Sequence, residues 1–324
     1  MLACKRHVLQ IYVLNESKIA KNTQYFEPVL NSNQIKEVHM STVKCNVCPR
    51  GCELNEGMTG ACRARKHTVI NDRHEITSVN YGIVTSLALD PIEKKPLNLF
   101  HPGSYILSVG SFGCNLHCPF CQNHEISTSD GTPFMHDDNR LSPEELVRIA
   151  VKTQSNGNIG IAFTYNEPLI GYEYVLDTSK LAKAAGLKTV LVTAGCINME
   201  IADLILPYTD ALNIDLKSIS SDTYSGILGG NLETVQGFIR KANSMCHVEL
   251  TTLIVPGMND SKDEMTAICD FITSLPGGED IPLHITRFFP RHRMKDRGPT
   301  DIDTILQLTD YARTRLNHVF AGNI

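Results

Sequence analysis

Six short apolar runs recur between residues 105 and 289, and stretches with helical spacing lie between them. The runs are Tyr105–Val109, Ile159–Thr164, Leu187–Val192, Ala211–Leu216, Val248–Val255 and Leu283–Phe289. Each is β-branched or aromatic and nearly continuous in apolar character, which suits strands buried on both faces of a parallel sheet. Ser142-Pro-Glu-Glu145 reads as a capping box with Pro at the first helical position, followed by Leu146, Ile149 and Ala150. Val175, Thr178, Ala182 and Ala185 keep helical spacing up to Gly186, which is placed to stop that helix. Ser261-Lys-Asp-Glu264 caps another helix, with Met265, Ile268 and Ile272 on one face. The six β/α units average roughly 35 residues, a natural size for a βαβ repeat. They are too few for a closed eight-stranded barrel. The pattern predicts an α/β fold, a partial (β/α)6 TIM-like barrel with reactive groups at the C-terminal strand ends. Residues 101–324 form this barrel and residues 41–100 a small Cys-rich metal-binding module. Residues 1–40 carry no periodic pattern and are expected to be a poorly ordered extension.

Composition narrows the function classes. The 324 residues are 42% hydrophobic, ordinary for a chain with a real core. A formal charge of −5 gives no sign of a dedicated nucleic-acid binder. No stretch approaches the roughly 18 consecutive apolar residues of a membrane span. Leu9–Leu14 is too short and too polar for a secretory signal, so a cytoplasmic protein is expected. The eleven cysteines are clustered and odd in number, unlike a secreted disulfide framework. Seven read as metal ligands. Cys4, Cys196, Cys246 and Cys269 read as small packed hydrophobes.

Cys114, Cys118 and Cys121 form a Cys-x3-Cys-x2-Cys triplet directly after the first strand candidate. Three thiolates on one short loop suit three irons of a cubane cluster, leaving the fourth iron open to a substrate. A structural zinc site usually takes four ligands, so a lone triplet argues against zinc. Phe120 precedes the last cysteine.

The triplet resembles the signature of the radical SAM superfamily. Cys45-Asn-Val-Cys-Pro-Arg-Gly-Cys52, Gly60-Ala-Cys-Arg63, Asp90-Pro-Ile-Glu-Lys-Lys-Pro-Leu97 and His101-Pro-Gly103 precede it. Cys121-Gln-Asn-His-Glu-Ile-Ser127, Thr164-Tyr-Asn-Glu-Pro168 and Asp215-Leu-Lys217 follow it. This combination is similar to the radical SAM member of the AmmeMemoRadiSam system, a branch close to the pyruvate formate-lyase activating enzymes. The resemblance covers about residues 43 to 323. It implies a [4Fe-4S] cluster and S-adenosyl-L-methionine, cleaved by one electron to methionine and a 5′-deoxyadenosyl radical that abstracts hydrogen. It implies a one-electron donor such as flavodoxin or ferredoxin. Memo-like and AMMECR1-like proteins, or a glycyl-radical enzyme, are the further partners it suggests.

The resemblance also assigns candidate cofactor-binding residues. Glu167 stands where relatives carry Gly-Gly-Glu, whose groups bind the methionine ammonium; Tyr165 and Asn166 replace both glycines. The bland alternative for Glu167 is an acid capping the next helix. Alternation puts Asn213, Asp215 and Lys217 on one strand face, where they contact the ribose or carboxylate of the cofactor or simply form a buried ion pair. His292 matches a histidine after a Pro-x near the methionine moiety, and a surface histidine is the alternative. Thr193-Ala-Gly195 lacks the Asn of the relatives' Thr-Asn-Gly, and Val255-Pro-Gly-Met-Asn-Asp260 resembles a turn that shapes the adenine pocket. Relatives often continue past a Gly-Asn like Gly322-Asn323 into a Cys-Pro-x-x-Cys tail, whereas this chain stops at Ile324.

Cys45, Cys48, Cys52 and Cys62 form a second set, suited to a tetrahedral zinc or a second iron–sulfur cluster. The expected function is radical SAM chemistry on an unspecified substrate. Activation of a glycyl-radical enzyme is the alternative within that class. A non-catalytic iron–sulfur or zinc scaffold for electron transfer or binding is the alternative outside it.

Overall fold

The computed structural model describes residues 41–324. The expectation for residues 1–40, and Cys4 with it, lies outside the described residues. Two short hairpins come first. β1 (Thr42–Lys44) pairs with β2 (Glu53–Asn55), and β3 (Arg65–Ile70) with β4 (Arg73–Ser78), both antiparallel. Asn71 and Asp72 join β3 to β4 with φ of 49° and 63°, as a tight two-residue hairpin turn requires.

All six expected strands are present: β6 (Tyr105–Gly110), β7 (Asn158–Phe163), β8 (Lys188–Thr193), β9 (Ala211–Asp215), β10 (His247–Ile254) and β11 (Leu283–Arg287). They run parallel in sequence order. One strand extends the sheet at each edge. β12 (Val319–Gly322) adds parallel to β11, and β5 (Ser86–Pro91) adds antiparallel to β6. Part of the segment expected in the Cys-rich module therefore belongs to the large sheet. Pro91 ends β5, a position an edge strand tolerates.

The helices are α1 (His124–Ser127), α2 (Pro143–Lys152), α3 (Tyr172–Ala184), α4 (Met199–Ile205), α5 (Leu232–Asn243), α6 (Lys262–Thr273) and α7 (Ile302–Arg313). The predicted box at α2 is complete: Glu145 N donates to Ser142 Oγ and Ser142 N to the Glu145 carboxylate. Gly186 follows α3 with φ of 72°. At α6 only half of the box forms. Glu264 N donates to Ser261 Oγ, but the Glu264 carboxylate accepts from Ser218 Oγ (2.6 Å) and Ile219 N (2.7 Å) after β9. Tertiary partners outcompete the local cap and tie α6 to the sheet. No described helix is long and apolar enough to cross a membrane.

The barrel interior is closed from below by the segment after β5. Glu249 in β10 is fully buried and accepts from Asn98 N, Leu99 N, His247 Nε2 and His284 Nε2 at 2.7–2.9 Å. Burial alone would raise this carboxyl, but those four donors hold it down to about 2. Asn213 Nδ2 donates to Pro96 O, and Asn213 Oδ1 accepts from Thr251. The plug brings Pro96 up to form part of the cavity wall above it.

Candidate functional site

The C-terminal ends of β7 through β12 and the loop after β6 surround one cavity of about 300 Å³. Seven parallel strands reach a single cavity only because the sheet curls into an incomplete barrel. Cys114, Cys118 and Cys121 line it, with Phe120 beside them.

The cysteine loop is held by backbone geometry. Gly110 ends β6 against Tyr165, where a Cβ would lie 2.7 Å from the ring. Gly113 has φ of 87°, and a Cβ there would lie 2.5 Å from Cys62 O. That approach lets Cys114 N donate to Cys62 O at 3.2 Å. Cys121 N donates to Cys118 O, closing a turn, and Cys121 Sγ lies 3.2 Å from Ser127 Oγ.

Burial pushes the Cys114 thiol well up and Cys118 up to about 11. Thiolates there need a cation beside them, which a bound metal centre supplies. Among the described residues no three Cys, His, Asp or Glu side chains converge as ligands of one ion do. A cubane seats each thiolate on a separate iron, and the loop lines the cavity with three thiols, one for each of three irons.

The opposite wall carries the charge. Glu167 is buried, and its Oε1 accepts from Leu169 N and Thr193 Oγ1, its Oε2 from Ala194 N. Burial raises its carboxyl despite those donors. Oε2 retains lone-pair capacity toward the cavity it lines. Ala194, which lacks the side-chain amide of the relatives' Asn, takes part through its backbone N–H instead.

Lys217 donates to Asp215 at 2.8 Å, and both line the cavity. Burial works against the charge on Lys217, but Asp215 and the nearby Cys118 outweigh it and hold the ammonium. Its backbone is clamped: Lys217 N donates to the hydroxyl of buried Tyr224, and Lys217 O accepts from Asn259 Nδ2. Asn259 also donates to Leu253 O and accepts from Val255 N. The Val255–Asp260 turn thus fixes Lys217, a role its sequence did not reveal.

Tyr165 adopts φ of 75°. The chain keeps a glycine-like backbone where relatives carry glycine, and it adds a phenol to the cavity wall. The Tyr165 hydroxyl and the buried Lys95 ammonium both donate to Asp90 Oδ2 at 3.0 Å. Burial alone would raise Asp90, yet these donors hold it down to about 2. Asn166 accepts from Ser111 N and donates to Phe112 O and Gly113 O, fastening the cysteine loop. Neither group was legible as a partner of the loop, because both contacts are tertiary.

The cavity gathers Cys114, Cys118, Cys121, Glu167, Asp215 and Lys217, and Asn213 and His292 are not among its lining residues. Asn213 is buried beneath with both amide atoms used by protein partners. His292 stacks on His124 at 4.7 Å. Arg287 donates to Thr300 O.

Cys45, Cys48 and Cys62 are buried and Cys52 is partly so. Cys45 N donates to Cys52 O across the turn between β1 and β2. Burial raises Cys48 and Cys62, and thiol neighbours within the set add to it. None of the described cysteines is in a disulfide. Cys196 and Cys269 are buried and Cys246 partly so, as packed hydrophobes are.

Residues 108–272 match the radical SAM superfamily. An uncharacterized protein of Methanocaldococcus jannaschii is 38% identical over 286 residues, 87% of this chain and 81% of its own. The pyruvate formate-lyase-activating enzyme of Clostridium pasteurianum is 28% identical over 177 residues, 53% of this chain and 71% of its own. Among solved structures, Streptococcus suis SuiB bound to S-adenosylmethionine is similar in fold, with a TM-score of 0.52 and 16% identity over 68% of this chain and 52% of that one. The family match spans half the sequence and includes the cysteine loop, so the chain belongs to the radical SAM superfamily and is similar to the pyruvate formate-lyase-activating enzymes.

Proposed function

We propose that Cys114, Cys118 and Cys121 hold a [4Fe-4S] cluster and that the protein cleaves S-adenosyl-L-methionine for hydrogen abstraction. The observation that carries this reading is the meeting of three partly buried thiols with Lys217, Asp215 and Glu167 around one cavity. When bound, the cluster and cofactor supply one-electron cleavage of a C–S bond and a 5′-deoxyadenosyl radical. The chain's own groups bind and orient. Glu167, with lone-pair capacity left on Oε2, would receive the methionine ammonium, and Lys217 with Asp215 would hold the cofactor's polar groups. Tyr165 and Pro96 bound the remaining space, where a substrate C–H bond is presented and water is kept out. Cys45, Cys48, Cys52 and Cys62 would hold a second metal centre, zinc or iron–sulfur, the thiols drawing together as it binds, and so stiffen the module against the cysteine loop.

The similarity to activating enzymes favours one second reading, hydrogen abstraction from a glycine of a partner enzyme. A non-catalytic scaffold is disfavoured, because it has no need of a charged cavity beside the thiols. The test is anaerobic incubation of reconstituted, reduced protein with S-adenosylmethionine. 5′-Deoxyadenosine and an EPR signal altered by the cofactor are expected. An intact cluster that yields neither overturns the proposal.

A further inference from the structure

The cysteine loop has two sides. Its thiols face the cavity, and its backbone is gripped from outside by segments that carry cations. Arg50, exposed, donates to Gly229 O (2.7 Å) and Asn115 O (3.4 Å). Asn115 follows Cys114, and its Nδ2 donates to Cys196 O. Arg63 follows Cys62, whose carbonyl accepts from Cys114 N. Arg293, exposed, donates its own N–H to Pro119 O, between Cys118 and Cys121. Lys295 is exposed two residues on. His117 projects from the loop itself, its N–H on Leu228 O. Three distant stretches of sequence thus bring arginines to one loop, in a chain whose formal charge is −5. Acidic groups beside them are fewer: Glu125, Asp130 and Asp296, the last paired with Arg297 at 3.5 Å.

None of these cations lines the cavity. A substrate has to enter the cavity, whereas an electron has only to reach the thiol ligands. A positive collar on the outer side of the ligand loop therefore fits an electron donor better than a substrate.

We propose that Arg50, Arg63, Arg293 and Lys295 form the docking face for an acidic one-electron carrier protein. The proposal rests on the cluster assignment above. The carrier is oxidised by one electron and the cluster held by the loop is reduced by one. Complementary charge steers the encounter and weakens with salt.

The experiment uses flavodoxin as the probe, oxidised for binding and reduced for turnover, and Arg63→Glu/Arg293→Glu as the variant. Arg50 is left in place because its hydrogen bonds support the fold. Binding of oxidised flavodoxin is titrated at low and high ionic strength, and it needs no catalytic turnover. The variant is expected to weaken binding roughly tenfold or more and to flatten its salt dependence. Flavodoxin-driven 5′-deoxyadenosine formation slows in step, while dithionite-driven formation stays at the unaltered level. Lys180→Glu/Lys183→Glu makes the same charge change on exposed α3 and should leave binding unchanged. Unaltered flavodoxin affinity in the collar variant overturns the proposal, as does equal weakening in the α3 variant. Loss of dithionite-driven product in the parent protein instead strikes the cluster assignment, which the titration reads separately.

Discussion

Lys217 is held in the site by both its side chain and its backbone. Its ammonium meets Asp215 and the field of Cys118, and its backbone is held by Tyr224 and Asn259. Lys217→Met should raise KM for S-adenosylmethionine about tenfold or more, with Lys217→Arg recovering part of the loss. Steady-state 5′-deoxyadenosine formation at varied cofactor reads this out. An unchanged KM removes Lys217 from the binding wall. Cys118→Ala is expected to abolish product and to remove the cavity iron while metal at Cys45, Cys48, Cys52 and Cys62 persists. Metal analysis of the two proteins decides it. The cysteines were legible because spacing is local. Tyr165 was not, since a left-handed tyrosine exists only where tertiary contacts to Asp90 and Lys95 hold it.

At the scale of elements, local rules succeeded where burial is symmetrical. β6 to β11 are covered on both faces and read as continuous apolar runs. β5 and β12 are edge strands, and β12 has only four residues, so neither left that pattern. The Ser142 box formed as written, whereas Glu264 left its own helix for Ser218 and Ile219. Gly113 is where the cysteine loop presses against the Cys-rich module. Gly113→Ala places a Cβ 2.5 Å from Cys62 O at a backbone φ of 87°. A cost of roughly 1–3 kcal/mol is expected, with lower iron loading and faster proteolysis within residues 41–85. Denaturant unfolding and limited digestion measure both; parental values in the two assays contradict the coupling.

Across the described fold as a whole, a plug closes the end of the barrel opposite the cavity. Glu249 binds two backbone N–H groups of the plug and two histidines, and its carboxyl lies at about 2 against an ordinary 4.5. A depressed carboxyl contributes stability that is present above the unfolded value and lost as pH falls through the folded one. Stability should therefore decline between about pH 4.5 and pH 2. Glu249→Gln turns an amide toward N–H donors, so it should cost roughly 2–3 kcal/mol at neutral pH and remove that part of the acid decline. Thermal melts across pH compare the two; parallel acid limbs refute the assignment.

The single backbone bond from Cys114 to Cys62 has a consequence for how a disturbance travels. The two cysteine sets, 52 residues apart at that bond, are stitched at one peptide unit. A distortion of the backbone around Cys62 therefore reaches the cavity loop through that peptide unit, with no side chain as go-between.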